Sequence, residues 1–190
     1  GIAIINPTEG DMACGETGPG RMAEPLEIME AVAEALKPKG PLKGLKALIT
    51  AGPTHEPIDP VRYIANRSSG KQGYAIAEAI VGLGAETLLV SGPVNLPDPE
   101  GVRVIRVETA LEMAAACKEA LPSQIAIMTA AVADWRMTEP AQEKIKKNTD
   151  NTPPSLELTV NPDCLAGLVA HTLRPDLIVG FAAETEQIMD

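Results

Sequence analysis

Aromatic side chains are nearly missing from this 190-residue sequence: one Trp, one Phe and two Tyr are all its rings. Basic residues are also in the minority, with 16 Lys and Arg against 26 Asp and Glu and a formal charge of -10. A chain so poor in stacking surfaces and positive charge lacks the footprint of a nucleic-acid binder. Cysteine is scarce: Cys14, Cys117 and Cys164 are odd in number and too widely spread for a zinc framework. His55 and His171 complete no metal-ligand spacing with them. These absences fit a reduced, cytoplasmic protein. No apolar run reaches the length of a membrane span, and no signal peptide opens the chain, so no membrane is expected as a partner.

What remains is 45% hydrophobic, which places the chain with globular proteins. Tyr63, Trp135 and Phe181 fall in or beside polar segments, which leaves the core to Ala, Leu, Ile and Val. Both ends read as cut: GIAII (1–5) as a strand begun midway and Glu184–Asp190 as a helix stopped midway. A fragment of something larger is expected. Apolar spacing in LEIMEAVAEAL (26–36) predicts an amphipathic helix. Pro38, Gly40 and Pro41 break it, so Lys37–Gly44 is the expected linker.

Beyond the linker the pattern alternates. Strands are expected at Ala47–Thr50, Thr87–Ser91, Arg103–Val107, Ile125–Thr129, Leu156–Val160 and Leu177–Gly180. Helices are expected at Lys71–Leu83, Ala110–Ala120 and Pro162–His171, the last capped by Asn161. This order predicts an α/β, Rossmann-like fold, with a mostly parallel sheet and helices on both faces. Arg136–Ser155 has no usable periodicity and reads as a mobile flap.

The segment TAGPTHEPIDPVRYIANRSSGKQG (50–73) stands between a predicted strand and a predicted helix, where open α/β sheets place phosphates. It is far longer than the usual two to six residues of such a connection. It carries Arg62, Asn66, Arg67, Ser68, Ser69 and Lys71, all able to donate hydrogen bonds to an anion. Ser68 or Ser69 is expected to cap the helix, and Gly70 and Gly73 permit close backbone approach. Ser68, Ser69, Gly70 and Lys71 form the expected phosphate site.

Three further segments interrupt the regular pattern. In Thr129-Ala130-Ala131-Val132-Ala133-Asp134-Trp135 the small residues let a ligand lie against the backbone. Asp134 then serves either as a metal or hydroxyl partner or as a cap, and both readings stay open. In Glu143-Lys144-Ile145-Lys146-Lys147 a lysine can close over phosphates and neutralise developing charge, or can simply be solvated. In Gly180-Phe181-Ala182-Ala183-Glu184-Thr185 the lone Phe181 either meets a base or is buried in the core.

TAGPTHEPIDPVRYIANRSSGKQGYAIAEA, SGPVNLP, TAAVADWR, EKIKK, NPD and GFAAET, in this order, resemble the phosphopantothenate–cysteine ligase half of the bacterial bifunctional coenzyme A biosynthesis proteins. The resemblance covers roughly residues 45–186. GDMACGETGPGRM (10–22) resembles the substrate-clamp segment that ends the decarboxylase half of the same proteins, where a cysteine, here Cys14, acts as proton donor. The expected division is therefore a decarboxylase remnant at 1–36, the linker at 37–44 and a ligase domain at 45–190.

The resemblance implies a CTP- and Mg²⁺-dependent ligase acting on 4′-phosphopantothenate and L-cysteine, homodimeric within a larger assembly. An acyl-cytidylate forms with loss of pyrophosphate, and the cysteine amine then displaces CMP. By motif, Asn66 and Lys144 carry catalysis. Met128, Thr129, Ala130, Asp134, Lys144, Ile178, Val179, Gly180 and Phe181 match the CTP site, with Asp134 also the metal ligand. Asn66, Ala131 and Arg62 match the substrate site. FMN belongs to the decarboxylase half and is not expected on this chain. The family runs on past GFAAET into further nucleotide-binding lysines, and its flavin-binding body precedes Cys14; neither is in this sequence. Two other readings stand beside this one. A nicotinamide-dependent reductase would need a tight glycine-rich turn after the first strand, where Pro53, Pro57 and Pro60 stand instead. The other is a non-catalytic dimerisation domain.

Overall fold

Leu48 and Ile49 are neighbours on one strand yet pack into separate cores, because successive side chains of a strand point to opposite faces. In the computed structural model, which describes residues 4–11, 15, 17–36, 40–147 and 152–183, this alternation organises a five-stranded sheet. The chain forms two compact units, residues 1–41 and 42–190.

The first unit holds an antiparallel hairpin of β1 (Thr8–Asp11) and β2 (Thr17–Arg21), followed by helix α1 (Pro25–Leu36). Pro25 suits the first helical position, where its missing N–H leaves no bond unmade. Leu26, Met29 and Val32 recur along α1 and are exposed. The expected amphipathic helix is present. The hairpin is not legible in the Gly- and Pro-rich loop read from the sequence. Ile4 and Ile5 stand outside any strand, contrary to expectation. Cys14 and the segment 184–190 lie outside the described residues, as do 37–39 of the expected linker.

In the second unit β3 (Lys46–Ala51) is central. A small hairpin, β4 (Glu56–Asp59) and β5 (Arg62–Ile64), precedes α2 (Lys71–Gly82). Then follow β6 (Glu86–Ser91), β7 (Arg103–Arg106), α3 (Ala110–Glu119) and β8 (Ile125–Met128). Strands β9 (Trp135–Met137) and β10 (Leu158–Val160) pair antiparallel, and α4 (Cys164–Val169) and β11 (Leu177–Gly180) complete the unit. The main sheet runs β11-β8-β3-β6-β7, and each of its pairings is parallel. This is the Rossmann-like arrangement expected.

One face of the sheet sends Leu48, Val90, Ala126 and Met128 against Met113, Cys117, Cys164 and Leu168 of α3 and α4. The other sends Ala47, Ile49, Ala51 and Leu89 against Tyr74 and Ala77 of α2. Full burial of a Leu such as Leu48 or Leu89 stabilises the fold by about 2 kcal/mol. Tyr74 and Met113 therefore join the expected aliphatic core. Tyr74 is tolerated there because its hydroxyl meets Ser91 Oγ at 3.1 Å.

Three expectations are corrected. The helix after Val160 is shorter than Pro162–His171, and Asp163 rather than Asn161 caps it, accepting from Ala166 N–H at 2.8 Å. The last strand before it begins at Leu158, not Leu156. The expected flap begins inside β9, since Arg136 and Met137 pair with Thr159 and Leu158. Strand β9 is only three residues long, too short for a period-2 signal to emerge from the sequence.

Candidate functional site

Strands β3 and β8 lie side by side, and the chain leaves them in opposite directions across the sheet. From β3 it proceeds to β6 and β7, and from β8 to β11. The carboxyl ends of such a pair mark the switch point where open α/β sheets receive ligands. Here the two strand ends stay joined beyond the sheet. The Thr129 backbone N–H and hydroxyl both donate to Thr50 O, at 3.3 and 2.6 Å. Ala130 N–H donates to Thr50 Oγ1 at 3.2 Å, and Ala131 N–H to Gly52 O at 2.9 Å. Ala133 N–H meets the buried Thr54 hydroxyl at 3.0 Å. The small-residue segment is thus a tied floor, not an open crevice.

The long connection between β3 and α2 folds around its own hairpin. His55 and Tyr63 stack with ring centroids 3.9 Å apart. Asn66 donates from Nδ2 to Val132 O at 2.9 Å, which brings the opening loop to the floor beside Ala131. Gly70, with φ of 71°, begins α2 in a left-handed conformation open to few other residues. Neither Ser68 nor Ser69 caps the helix, contrary to expectation. Ser68 Oγ instead accepts from Gly70 N–H at 3.3 Å, and no side chain caps α2. The first-turn N–H groups are therefore left for an anion, with exposed Ser69 and Lys71 beside them.

Helix α2 reaches this place only because residue 73 is glycine. A Cβ there would stand 2.5 Å from both Ala51 Cβ and the Thr129 hydroxyl. The helix N-terminus thereby abuts the ends of β3 and β8.

Strand β11 brings in the fourth segment. Gly180, Val179 and Ile178 pair with Met128, Ile127 and Ala126, and Phe181 N–H donates to Met128 O at 3.1 Å. Phe181 is 47% exposed, so core burial is not its role. Its N–H is already engaged within the chain, which leaves the exposed ring. Asp134 is exposed beyond the floor, with its carbonyl accepting from Asn161 N–H at 2.8 Å.

The third segment is tethered to the hairpin. Ala141 N–H donates to Ile58 O at 2.9 Å, and Ile145 N–H to Asp59 Oδ2 at 3.1 Å. Arg62 donates from Nε to Asp59 Oδ2 at 3.0 Å, pairs with the same oxygen through Nη2, and reaches Ile145 O at 3.0 Å. Two of its nitrogens are thus committed within the chain. The Arg62 guanidinium and neighbouring N–H donors hold the Asp59 carboxyl well below the usual carboxylate range, against the opposing effect of burial. Lys144, next to this tether, is exposed.

Among the described residues no three His, Cys, Asp or Glu side chains come together as a metal site. Asp134 can supply one carboxylate, which suits Mg²⁺, an ion held mostly by substrate phosphates and water. Burial pushes the Cys117 thiol up to about 12 and the Cys164 thiol to about 11, with smaller contributions from Cys164 and Asp163 respectively. Neither is built for nucleophilic work.

Several contributors were not legible beforehand. Thr50 and Thr54 tie the floor, and Asn161 Nδ2 supports it by donating to Ala133 O at 2.8 Å. Buried Glu56 accepts from Ala110 N–H at 2.9 Å at the start of α3. A groove of about 740 Å³, lined by His55, Val94, Asn95, Arg106 and Glu108 among others, runs beside the ends of β6 and β7. The strings TAGPTHEP, SGPVNLP and NPD mark several of these positions in the sequence, but not what each side chain does there.

Comparison with known proteins places this geometry. Residues 42–190 match the family model of the DNA/pantothenate metabolism flavoprotein C-terminal domain. The coenzyme A biosynthesis bifunctional protein CoaBC of Vibrio cholerae is 51% identical over 99% of this chain, and that of Escherichia coli K12 is 48% identical over 99%. The chain spans about half the length of these curated relatives, 47% of each. The crystal structure of the C-terminal domain of a CoaBC superposes with a TM-score of 0.65 at 44% identity, covering 77% of this chain and 68% of that one. A Cab2 mutant in complex with phosphopantothenate-cysteine shares the fold at 20% identity, with a TM-score of 0.58 over 87% of this chain and 73% of that one.

Proposed function

The chain belongs to the family of the DNA/pantothenate metabolism flavoprotein C-terminal domain, and from that premise we propose that residues 42–190 form a CTP-dependent ligase unit joining 4′-phosphopantothenate to L-cysteine. The observation that carries the reading is the uncapped start of α2 set against the ends of β3 and β8. Its free N–H groups and Lys71 form an anion site beside a floor of small residues.

In the proposed reaction the carboxylate of 4′-phosphopantothenate attacks the α-phosphorus of CTP, and the bond to the leaving pyrophosphate breaks. The amine of cysteine then attacks the acyl carbon, loses a proton and expels CMP. The first-turn N–H groups of α2 with Ser68, Ser69, Gly70 and Lys71 bind phosphate oxygens. Met128, Thr129 and Ala130, with Ile178, Val179, Gly180 and Phe181, hold the nucleotide along the β8–β11 edge. Asp134 would hold a Mg²⁺, which would screen the triphosphate charge. Lys144 meets charge as it grows on the departing pyrophosphate. Asn66, fixed on one side by Val132 O, presents the rest of its amide towards the acyl group near Ala131.

Arg62 stays in the substrate site only through the loop it braces. The proposed unit acts as a homodimer, and Trp135 and Val160, opposite one another and both exposed, offer apolar surface for pairing. A cytoplasmic location is proposed with this function; no helix among the described residues is long and apolar enough to cross a membrane. FMN is assigned to the decarboxylase activity of the whole protein, and no described residue is given to it; the proposed remnant at 1–36 contains Cys14.

A reductase reading fares worse, because residues 52–70 with their hairpin stand where a nicotinamide site has a short glycine turn. Calorimetric titration with CTP and with ATP, each with Mg²⁺, tests the proposal. CTP is expected to bind more tightly. Equal or tighter binding of ATP defeats the assignment, and stabilisation by NADH alone restores the reductase.

A further inference from the structure

Asp59 is a carboxylate with a fully buried side chain on a hairpin where, within β4 and β5, only it and Glu56 are buried. Its two oxygens collect an unusual number of donors. Oδ1 accepts from Val61 N–H at 2.9 Å and Arg62 N–H at 3.0 Å. Oδ2 accepts from the Arg62 guanidinium and, at 3.1 Å, from Ile145 N–H, 86 residues away in sequence. An ion pair serving the hairpin alone has no use for that last donor. Arg62 completes the arrangement by donating to Ile145 O at 3.0 Å. The pair therefore grips Ile145 by both its backbone N–H and its carbonyl. The N–H belongs to the peptide that joins Ile145 to Lys144, so the grip falls directly beside the lysine.

We propose that Asp59 and Arg62 act together as a latch that positions Lys144, holding residues 141–147 on the β4–β5 hairpin. The latch does not depend on any ligand; only the purpose of positioning Lys144 rests on the ligase reading. Asp59 is a positioning residue in this scheme, since it touches Lys144's neighbour and no substrate. Charge-assisted bonds suit the task, being stronger than neutral ones and directional. A lysine that must meet charge during bond breaking gains from having its backbone fixed beforehand.

The latch has a readout that needs no turnover, because trypsin cuts after Lys144. In Asp59→Asn the side chain keeps its shape, but its amide faces the donors of Arg62 and Ile145. Tryptic cleavage at Lys144 and exchange of the Ile145 amide are expected to rise at least about tenfold, with the melting transition of the sheet retained. Should Asp59→Asn fail to fold, Arg62→Lys replaces it, keeping a charge beside Asp59 while removing the donor to Ile145 O. Unchanged cleavage and exchange overturn the latch. In the full-length protein, pyrophosphate release by Asp59→Asn is expected to show kcat lowered about tenfold, with KM for CTP altered by less than about twofold. Equal changes in both, or no change in either, overturn the positioning role. A wild-type protein without CTP-dependent turnover defeats the ligase reading, while cleavage at Lys144 still judges the latch.

Discussion

Gly73 and Thr129 are in such close register that a single added methyl on the glycine would stand 2.5 Å from the threonine hydroxyl. That hydroxyl is already bound to Thr50 O at 2.6 Å, so it has no easy retreat. The first turn of α2 and the end of β8 are thereby fixed as one piece.

Gly73→Ala is expected to displace α2 from the strand ends. Overpacking of this kind costs about 1–3 kcal/mol. Thermal unfolding should show the loss, and calorimetry should show weaker CTP binding than the stability loss alone explains. Normal affinity in a stable variant separates the helix N-terminus from the nucleotide.

Lys144→Ala is expected to slow acyl-cytidylate formation while leaving CTP affinity little changed. Removing a contact made chiefly in the transition state costs a few kcal/mol, or about a hundredfold in rate. Single-turnover pyrophosphate release in the full-length protein measures it. Unchanged turnover returns Lys144 to a solvated surface charge.

Asn66→Asp replaces a donor with a carboxylate facing Val132 O, which the wild-type amide engages at 2.9 Å. Some loss of loop order follows for that reason alone, and it should slow both half-reactions. The second is expected to suffer more, by about tenfold, because negative charge develops on the acyl oxygen as the amine attacks. Following pyrophosphate release and amide formation in parallel decides the point. If both slow by one factor, Asn66 only braces the loop.

Cys117 and Cys164 should resist maleimide in the native protein near neutral pH and react on unfolding. Burial raises both thiols from 9.0 to about 12 and about 11. A raised folded value means that their contribution to stability is complete below 9.0. It is lost as pH climbs towards those values, because the unfolded chain ionises first. Mass spectrometry after brief labelling checks the first point and alkaline unfolding curves the second.

The sheet is largely legible because its strands have apolar centres at a spacing that leaves room for helices. Leu177–Gly180 and the starts of α2 and α3 fall where periodicity puts them. Short elements were not legible. In β4, β5 and β9 the pairing partner, not the local sequence, decides the conformation. Residue type points to the proposed anion site but not to its capping, since the Ser68 hydroxyl is engaged by the Gly70 turn. Arg62 was read as a ligand donor because its buried partner, Asp59, is three residues away and looks like an ordinary loop acid. The threonines of the floor stand inside the strings TAGPTHEP and TAAVADWR, yet residue type alone assigns them no role. Their importance comes from what stands opposite them across the switch point.

The bonded floor at the ends of β3 and β8 also bears on the thermodynamics of occupancy. Thr50, Gly52 and Thr54 hold Ala130, Ala131 and Ala133 as part of the folded state itself. Their conformational entropy is surrendered when the chain folds, so a ligand arriving later has nothing to freeze there. Any ordering that accompanies binding must then concentrate on the exposed side chains of the proposed rim, Lys71, Lys144 and Phe181. An increment in binding entropy should consequently track substitutions at the rim and ignore substitutions beneath the floor.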